Sequence, residues 1–68
     1  MNNANELFTE YTAKIRDLYF ADILSETEAN KANVRALKYA RRNNIKIYSG
    51  WDHSELNIDD EIKRHGGK

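Results

Sequence analysis

The chain has 68 residues, with 11 basic and 11 acidic side chains, three glycines, no cysteine and no proline. This length predicts a single domain, and the missing cysteine excludes disulfides and thiolate metal sites. No apolar run approaches the roughly 20 residues of a membrane span, and the N-terminus lacks the features of a signal peptide. We therefore expect a cytoplasmic protein that does not enter the membrane.

Residues 1–5 are expected to be a disordered lead, followed by a first helix from about Glu6 to Leu24. An apolar stripe with a period of about 3.6 residues supports this helix. The stripe consists of Leu7, Phe8, Tyr11, Ile15, Leu18 and Tyr19. Phe20, Ile23 and Leu24 lie outside it, so the last turn is apolar nearly all round. Enclosure in the core is the favoured interpretation of that turn, and a contact surface is the alternative.

Ser25 and Glu28 form a capping box that predicts the start of a second helix, since each side chain can accept the other's backbone amide hydrogen. The helix is expected to run to about Arg42, where Asn43-Asn44 tolerates the left-handed conformation of a helix end. One face carries small side chains that allow close packing of another helix. They are Ala29, Ala32, Ala36 and Ala40.

Alternation in Ile45-Lys46-Ile47-Tyr48 predicts a short extended segment, followed by a turn at Ser49-Gly50. It could lie across the helices, pair with a partner or form half of a small wing. Asn57 is expected to cap a third helix over 58–65, and residues 66–68 are expected to fray. The predicted fold is mainly α, a small three-helix domain with one short strand-like segment between the second and third helices.

The predicted core combines apolar positions from all of these elements. It consists of Leu7, Tyr11, Ile15, Leu18, Val34, Leu37, Ile45, Ile47 and Ile62. The single tryptophan, Trp51, is expected to fill part of this core, with an interface anchor as the alternative.

Charge is strongly segregated along this neutral chain. Residues 1–28 hold six acidic and two basic side chains, residues 29–51 hold six basic and no acidic ones, and residues 52–68 hold five acidic and three basic ones. Four of the cations, Lys31, Arg35, Lys38 and Arg42, fall within about 60° on one face of the second helix. We call these four residues the cationic stripe.

Such a stripe favours binding to nucleic acid, because lysine and arginine neutralise phosphates. The predicted nucleic-acid-binding residues are Lys31, Arg35, Lys38, Arg41, Arg42, Lys46 and Tyr48. An acidic protein surface is the second possibility. The third possibility is that the stripe is simply solvated, or that it pairs with acidic residues of the first helix. This pairing could occur in the same chain or in a second copy, and pairing with a second copy makes a homodimer credible.

A first helix, a capped second helix and then a strand-like segment follow one another along the chain. This order resembles the architecture of winged and helix-turn-helix DNA-binding modules, without a motif that transfers by residue. The competing hypothesis is a small inhibitor or adaptor that docks on a larger protein, such as an enzyme of replication or transcription. Its expected interface residues are Tyr19, Phe20 and Trp51. No catalytic motif, metal-ligand spacing or cofactor motif is present, so a non-enzymatic regulatory protein is predicted. Abundant Asn, Lys, Ile and Tyr suit a phage or mobile element.

Overall fold

The computed structural model describes residues 3–67, which form three helices and two short strands. The helices are α1 (Asn3–Phe20), α2 (Glu26–Arg42) and α3 (Ile58–Arg64), and the strands are β1 (Ile47–Tyr48) and β2 (Glu55–Leu56). Helix α2 is central, because α1 and α3 both pack against it. The mainly α, three-helix prediction is confirmed.

The first helix ends four residues earlier than predicted, at Phe20 instead of Leu24. Asp22 adopts a φ of 60°, and the Ile23 N–H donates to the Leu18 carbonyl at 2.9 Å. This is a Schellman motif, in which a left-handed residue turns the chain out of the helix. The apolar periodicity concealed it, because the residues after the turn are still apolar.

The other two helices end in the same way. Asn44 has a φ of 56° after α2, as its sequence position predicted, and Gly66 has a φ of 83° after α3. The closing hydrogen bonds run from the Ile45 N–H to the Ala40 carbonyl at 2.9 Å and from the Gly67 N–H to the Ile62 carbonyl at 2.8 Å. Residues 66 and 67 therefore form an ordered cap where fraying was predicted.

The helix starts follow the sequence closely. Ser25 accepts the Glu28 N–H at 3.2 Å, and Glu28 accepts the Ser25 N–H at 3.1 Å, which completes the predicted capping box. Asn57 accepts the Asp60 N–H at 3.1 Å at the start of α3. Residues 3–5, expected to be disordered, lie in α1, whereas residues 1, 2 and 68 fall outside the described range.

The extended segment does not stand alone, because β1 pairs with β2 in an antiparallel hairpin. Ile47 lies opposite Leu56, and both are half-buried, whereas Tyr48 lies opposite Glu55 on the exposed face. The wing-like alternative is the one that the chain adopts. Strand β2 was missed because two residues are too short to show a period.

The core is smaller than predicted. Ile15, Leu37, Ile45 and Ile62 are buried as expected, and Ala29, Ala36 and Ala40 join them from the small-residue face of α2. Leu18, Val34 and Ile47 are half-buried. Leu7 and Tyr11 were wrongly assigned, since they are 56% and 43% exposed. Helix α1 packs on α2 through Phe8 and Ile15, which leaves the neighbouring arc of the helix uncovered.

The assignment of Trp51 to the core was also wrong, because this side chain is 96% exposed. It lies in the hairpin turn, and strands of two residues are too short to bring that turn back to the helices. Phe20 and Ile23 are 73% and 65% exposed, so the end of α1 is a surface and not an enclosed turn. Leu24 alone of that group is half-buried, against the core.

Candidate nucleic-acid interface

The cationic stripe lies along the solvent-facing side of α2. Lys31, Arg35 and Arg42 are exposed and Lys38 is half-buried, whereas the buried alanines occupy the opposite face, where Ala29 and Ala36 pack with Ile15 of α1. Because the helix rises about 1.5 Å per residue, the stripe extends over about 16 Å. It presents a row of cations on a rigid element.

No acidic side chain of the described residues forms an ion pair with the stripe. The ion pairs within 3–67 join Arg41 to Asp59, Lys46 to Glu55 and Arg64 to Glu61. The stripe therefore forms no ion pairs with the acidic residues of α1 in the same chain. The stripe keeps its charge available to a partner.

Two of the predicted binding residues already have partners. The Arg41 Nη1 atom lies 2.6 Å from Asp59 Oδ1, and Lys46 Nζ lies 4.0 Å from Glu55 Oε1. Both pairs are more than half exposed, so each contributes at most about 1 kcal/mol and can be exchanged for a phosphate. Arg41 and Lys46 are consequently secondary to the stripe.

Helix α1 adds one cation that the sequence analysis did not include. Lys14 lines a groove of about 340 Å³ together with Lys31 and Arg35, between α1 and α2. The sequence analysis missed Lys14 because it lies in a mainly acidic segment, and only the packing of the two helices brings it to the stripe. Glu28 lies in the same groove. Its pKa is lowered, first by the hydrogen bond from the Ser25 backbone and also by the charge of Lys31.

A second groove joins the stripe to the end of α3. It has a volume of about 250 Å³, and its lining includes Lys31, Lys38 and His65. His65 Nδ1 lies 2.9 Å from Asn30 Oδ1, which ties α3 to α2 at this point. The ring is half-buried and is held in place beside the stripe.

The hairpin presents aromatic side chains on an ordered turn. Tyr48 is 56% exposed and Trp51 is 96% exposed. The Ser49 N–H donates to the Ser54 carbonyl at 2.9 Å, and the Ser54 N–H and hydroxyl both donate to Asp52. The hydrogen bonds from the Ser54 backbone and hydroxyl lower the pKa of Asp52, so its carboxylate stays ionised. A fully exposed indole on an ordered turn suits stacking or insertion into a partner.

A separate apolar surface lies where α1 ends. The Tyr19 and Phe20 ring centroids are 5.8 Å apart, and these side chains are 41% and 73% exposed. Neither residue lines the grooves that contain the stripe. Tyr19 and Phe20 therefore lie apart from the stripe, whereas Trp51, the third predicted protein-interface residue, lies on the same hairpin as Tyr48.

Nothing in the described part of the chain resembles a metal or membrane site. Residues 3–67 contain no group of three or more His, Cys, Asp or Glu side chains placed to hold a metal ion. No helix of these residues is long and apolar enough to cross a membrane. Asp59, Asp60 and Glu61 occupy the first turn of α3, where carboxylates stabilise the helix dipole.

Comparison of the chain with protein-family models, curated proteins and solved structures found no significant match.

Proposed function

We propose that this chain is a small non-enzymatic regulatory protein that binds nucleic acid, most readily duplex DNA, through α2. The observation that supports the proposal is the cationic stripe without ion pairs on a protein whose net charge is zero. Surface cations are normally interspersed with acids at helical spacing. Apart from Glu28 in the first turn, this face of α2 carries cations alone, which suits it to a polyanion.

The binding mode follows from the dimensions of α2. B-DNA carries one phosphate charge per about 1.7 Å of axis, so a stripe of about 16 Å can follow several phosphates along a groove edge. An α-helix with its side chains also fits a major groove about 12 Å wide. Lys31, Arg35, Lys38 and Arg42 supply the main contacts in this proposal. Arg41, Lys46 and Tyr48 flank them.

Titration of a labelled mixed-sequence duplex at two salt concentrations tests the proposal. The double variant Arg35→Glu with Arg42→Glu should weaken binding and flatten its salt dependence, because each lost phosphate contact removes about 0.9 from the slope of log K against log salt. Arg16→Glu with Lys63→Glu is the matched control, since both residues are exposed and lie outside the stripe. Equal loss in both variants would show a response to net charge alone and would refute the stripe.

Docking on a larger protein is the second candidate, and the exposure of Trp51, Phe20 and Tyr19 favours it. Aromatic side chains of this kind anchor protein interfaces. Since Trp51 and Phe20 make little contact with the core, their alanine variants should keep the fold. Loss of a partner in a pull-down, with an unchanged circular dichroism spectrum, would support this candidate. Retention of every partner would exclude these anchors.

The proposal extends to the compartment in which the protein acts and to the kind of genome that encodes it. A cysteine-free chain rich in Asn, Lys, Ile and Tyr suits a cytoplasmic regulator from a phage or mobile element. Expression of a tagged chain and fractionation of the cell tests this, and recovery outside the cytoplasm would contradict it.

A further inference from the structure

Helix α1 has a mainly apolar seam that the rest of the described chain covers only in part. Only Ile15 is buried among its 18 residues. Leu7, Tyr11, Lys14 and Leu18 follow one another at spacings of four, three and four residues, which is the repeat of a helix that packs along a second helix. Leu7 and Tyr11 are 56% and 43% exposed. We call these four residues the α1 seam.

The seam continues into the groove between α1 and α2. A mainly apolar cleft of about 270 Å³ lies beside it, lined by residues of both helices. Leu7, Tyr11 and Arg35 are among them. A domain of 68 residues with seven buried apolar side chains, three of them alanine, is of the size that usually needs additional burial. Another helix in this groove would supply it.

The side of the seam that faces away from α2 is acidic. Glu6, Glu10 and Asp17 lie about 80° round α1 from the seam, and all three are exposed. None of them forms an ion pair with another described residue. Apart from Lys14 the seam is apolar, and with its acidic edge it is the complement of a groove with a cationic rim. The chain contains both.

We propose that two copies of the chain form a two-fold dimer, in which α1 of each copy packs into the α1–α2 groove of the other. The acidic edge of each α1 then lies against the cationic stripe of the other copy. A two-fold axis parallel to the helices produces this arrangement at both interfaces. An axis perpendicular to them would place the two stripes face to face, where like charges repel.

The register of the ion pairs follows from the fold. Tyr11 and Arg35 line the same cleft, so Glu10 and Arg35 lie at nearly the same height along the helices. Parallel packing of the two copies of α1 therefore brings Glu10 of each copy to Arg35 of the other. The seam supplies the apolar contact, and the charges select the orientation.

This dimer covers part of the stripe, so nucleic acid and a second copy compete for it. That regulatory consequence rests on the proposed function, whereas the dimer itself does not. It also gives a role to three of the 11 acidic side chains that make a chain with a strong cationic face neutral overall. Dimers bind nucleic acid more weakly in this proposal, and dissociation frees the whole stripe.

Sedimentation velocity of the full chain tests the dimer. The wild type should have twice the 7.9 kDa of one chain, and Glu10→Lys and Arg35→Glu should each sediment as monomers. An equimolar mixture of these variants should recover the dimer mass, since each interface again joins opposite charges. Phe20→Ser, on the far side of α1 from the seam, should remain dimeric. Circular dichroism verifies the fold of every variant.

A monomeric wild type at high concentration would overturn the dimer, as would single variants that stay dimeric or a mixture that stays monomeric.

The duplex titration separates the two proposals. Leu7→Ser removes an apolar contact without changing charge, so it should sediment as a monomer and bind duplex more tightly than the wild type. If the masses change as expected but no form binds DNA, the dimer stands and the proposed function fails. If the wild type is monomeric and its stripe binds DNA, the proposed function stands and the dimer fails.

Discussion

Replacing each of the three glycines by alanine tests whether the C-terminal end of the described chain is the ordered cap of α3. A Cβ atom on Gly67 would lie 2.7 Å from Ile62 Cγ2 and 2.8 Å from Val34 Cγ1. Both neighbours are β-branched, and Ile62 is only 2% exposed, so neither can easily rotate away. Gly66 has open space around it, but its φ of 83° strains any side chain. Gly50 has neither restriction.

The expected costs differ accordingly. Gly67→Ala should destabilise the chain by about 1–3 kcal/mol, as overpacking of a core does. Gly66→Ala should cost about 1–2 kcal/mol, the penalty of a left-handed residue with a side chain. Gly50→Ala should remain within about 0.5 kcal/mol of the wild type. A chain of 68 residues has roughly 3–10 kcal/mol of stability in total, so the first two effects are large.

Urea unfolding followed by circular dichroism measures these differences. With a slope near 1 kcal/mol per molar urea, Gly67→Ala should lower the unfolding midpoint by about 1–3 M at an unchanged slope. Equal midpoints for all three variants would show that residues 66 and 67 are frayed, as the sequence suggested. A loss confined to Gly50→Ala would contradict the hairpin turn as well.

Four further outcomes follow from the structure. Ser25→Ala should cost about 1 kcal/mol in the same unfolding assay, because it removes half of the capping box. Because the pKa of Glu28 is lowered in the folded state, its contribution to stability is present above the usual value of 4.5 and is lost as the pH falls through the lower, folded-state value. Glu28→Gln should therefore reduce the loss of stability at acidic pH, and an unchanged loss would contradict the assignment. Asp59→Asn should cost less than about 1 kcal/mol and, by freeing Arg41, should tighten duplex binding, whereas weaker binding would argue against the site. Emission from Trp51 should resemble that of a solvated indole and change little on unfolding, and a blue-shifted native spectrum would show burial.

The sequence predicted the elements whose cause is local. The capping box at Ser25, the cap at Asn57 and the left-handed residue at Asn44 each depend on side chains within a few positions. The stripe on α2 also followed, since helical spacing alone places its residues on one face. These features needed no knowledge of tertiary packing.

What the sequence missed depends on distant contacts. Leu7 and Tyr11 share a helical arc with Ile15, and only the position of α2 decides which of the three is buried. Trp51 is apolar enough for a core, but the short hairpin keeps it in solvent. Lys14 reaches the stripe through the α1–α2 groove, which sequence spacing cannot show.

Titration of the purified chain with mixed-sequence duplex DNA at low and moderate salt tests the central claim most directly. Binding at micromolar concentration or below, lost as salt rises and weakened by Arg35→Glu with Arg42→Glu, is the predicted result, because the stripe exchanges counterions for phosphates. No binding at low salt, by the wild type or by the monomeric Leu7→Ser variant, would contradict it.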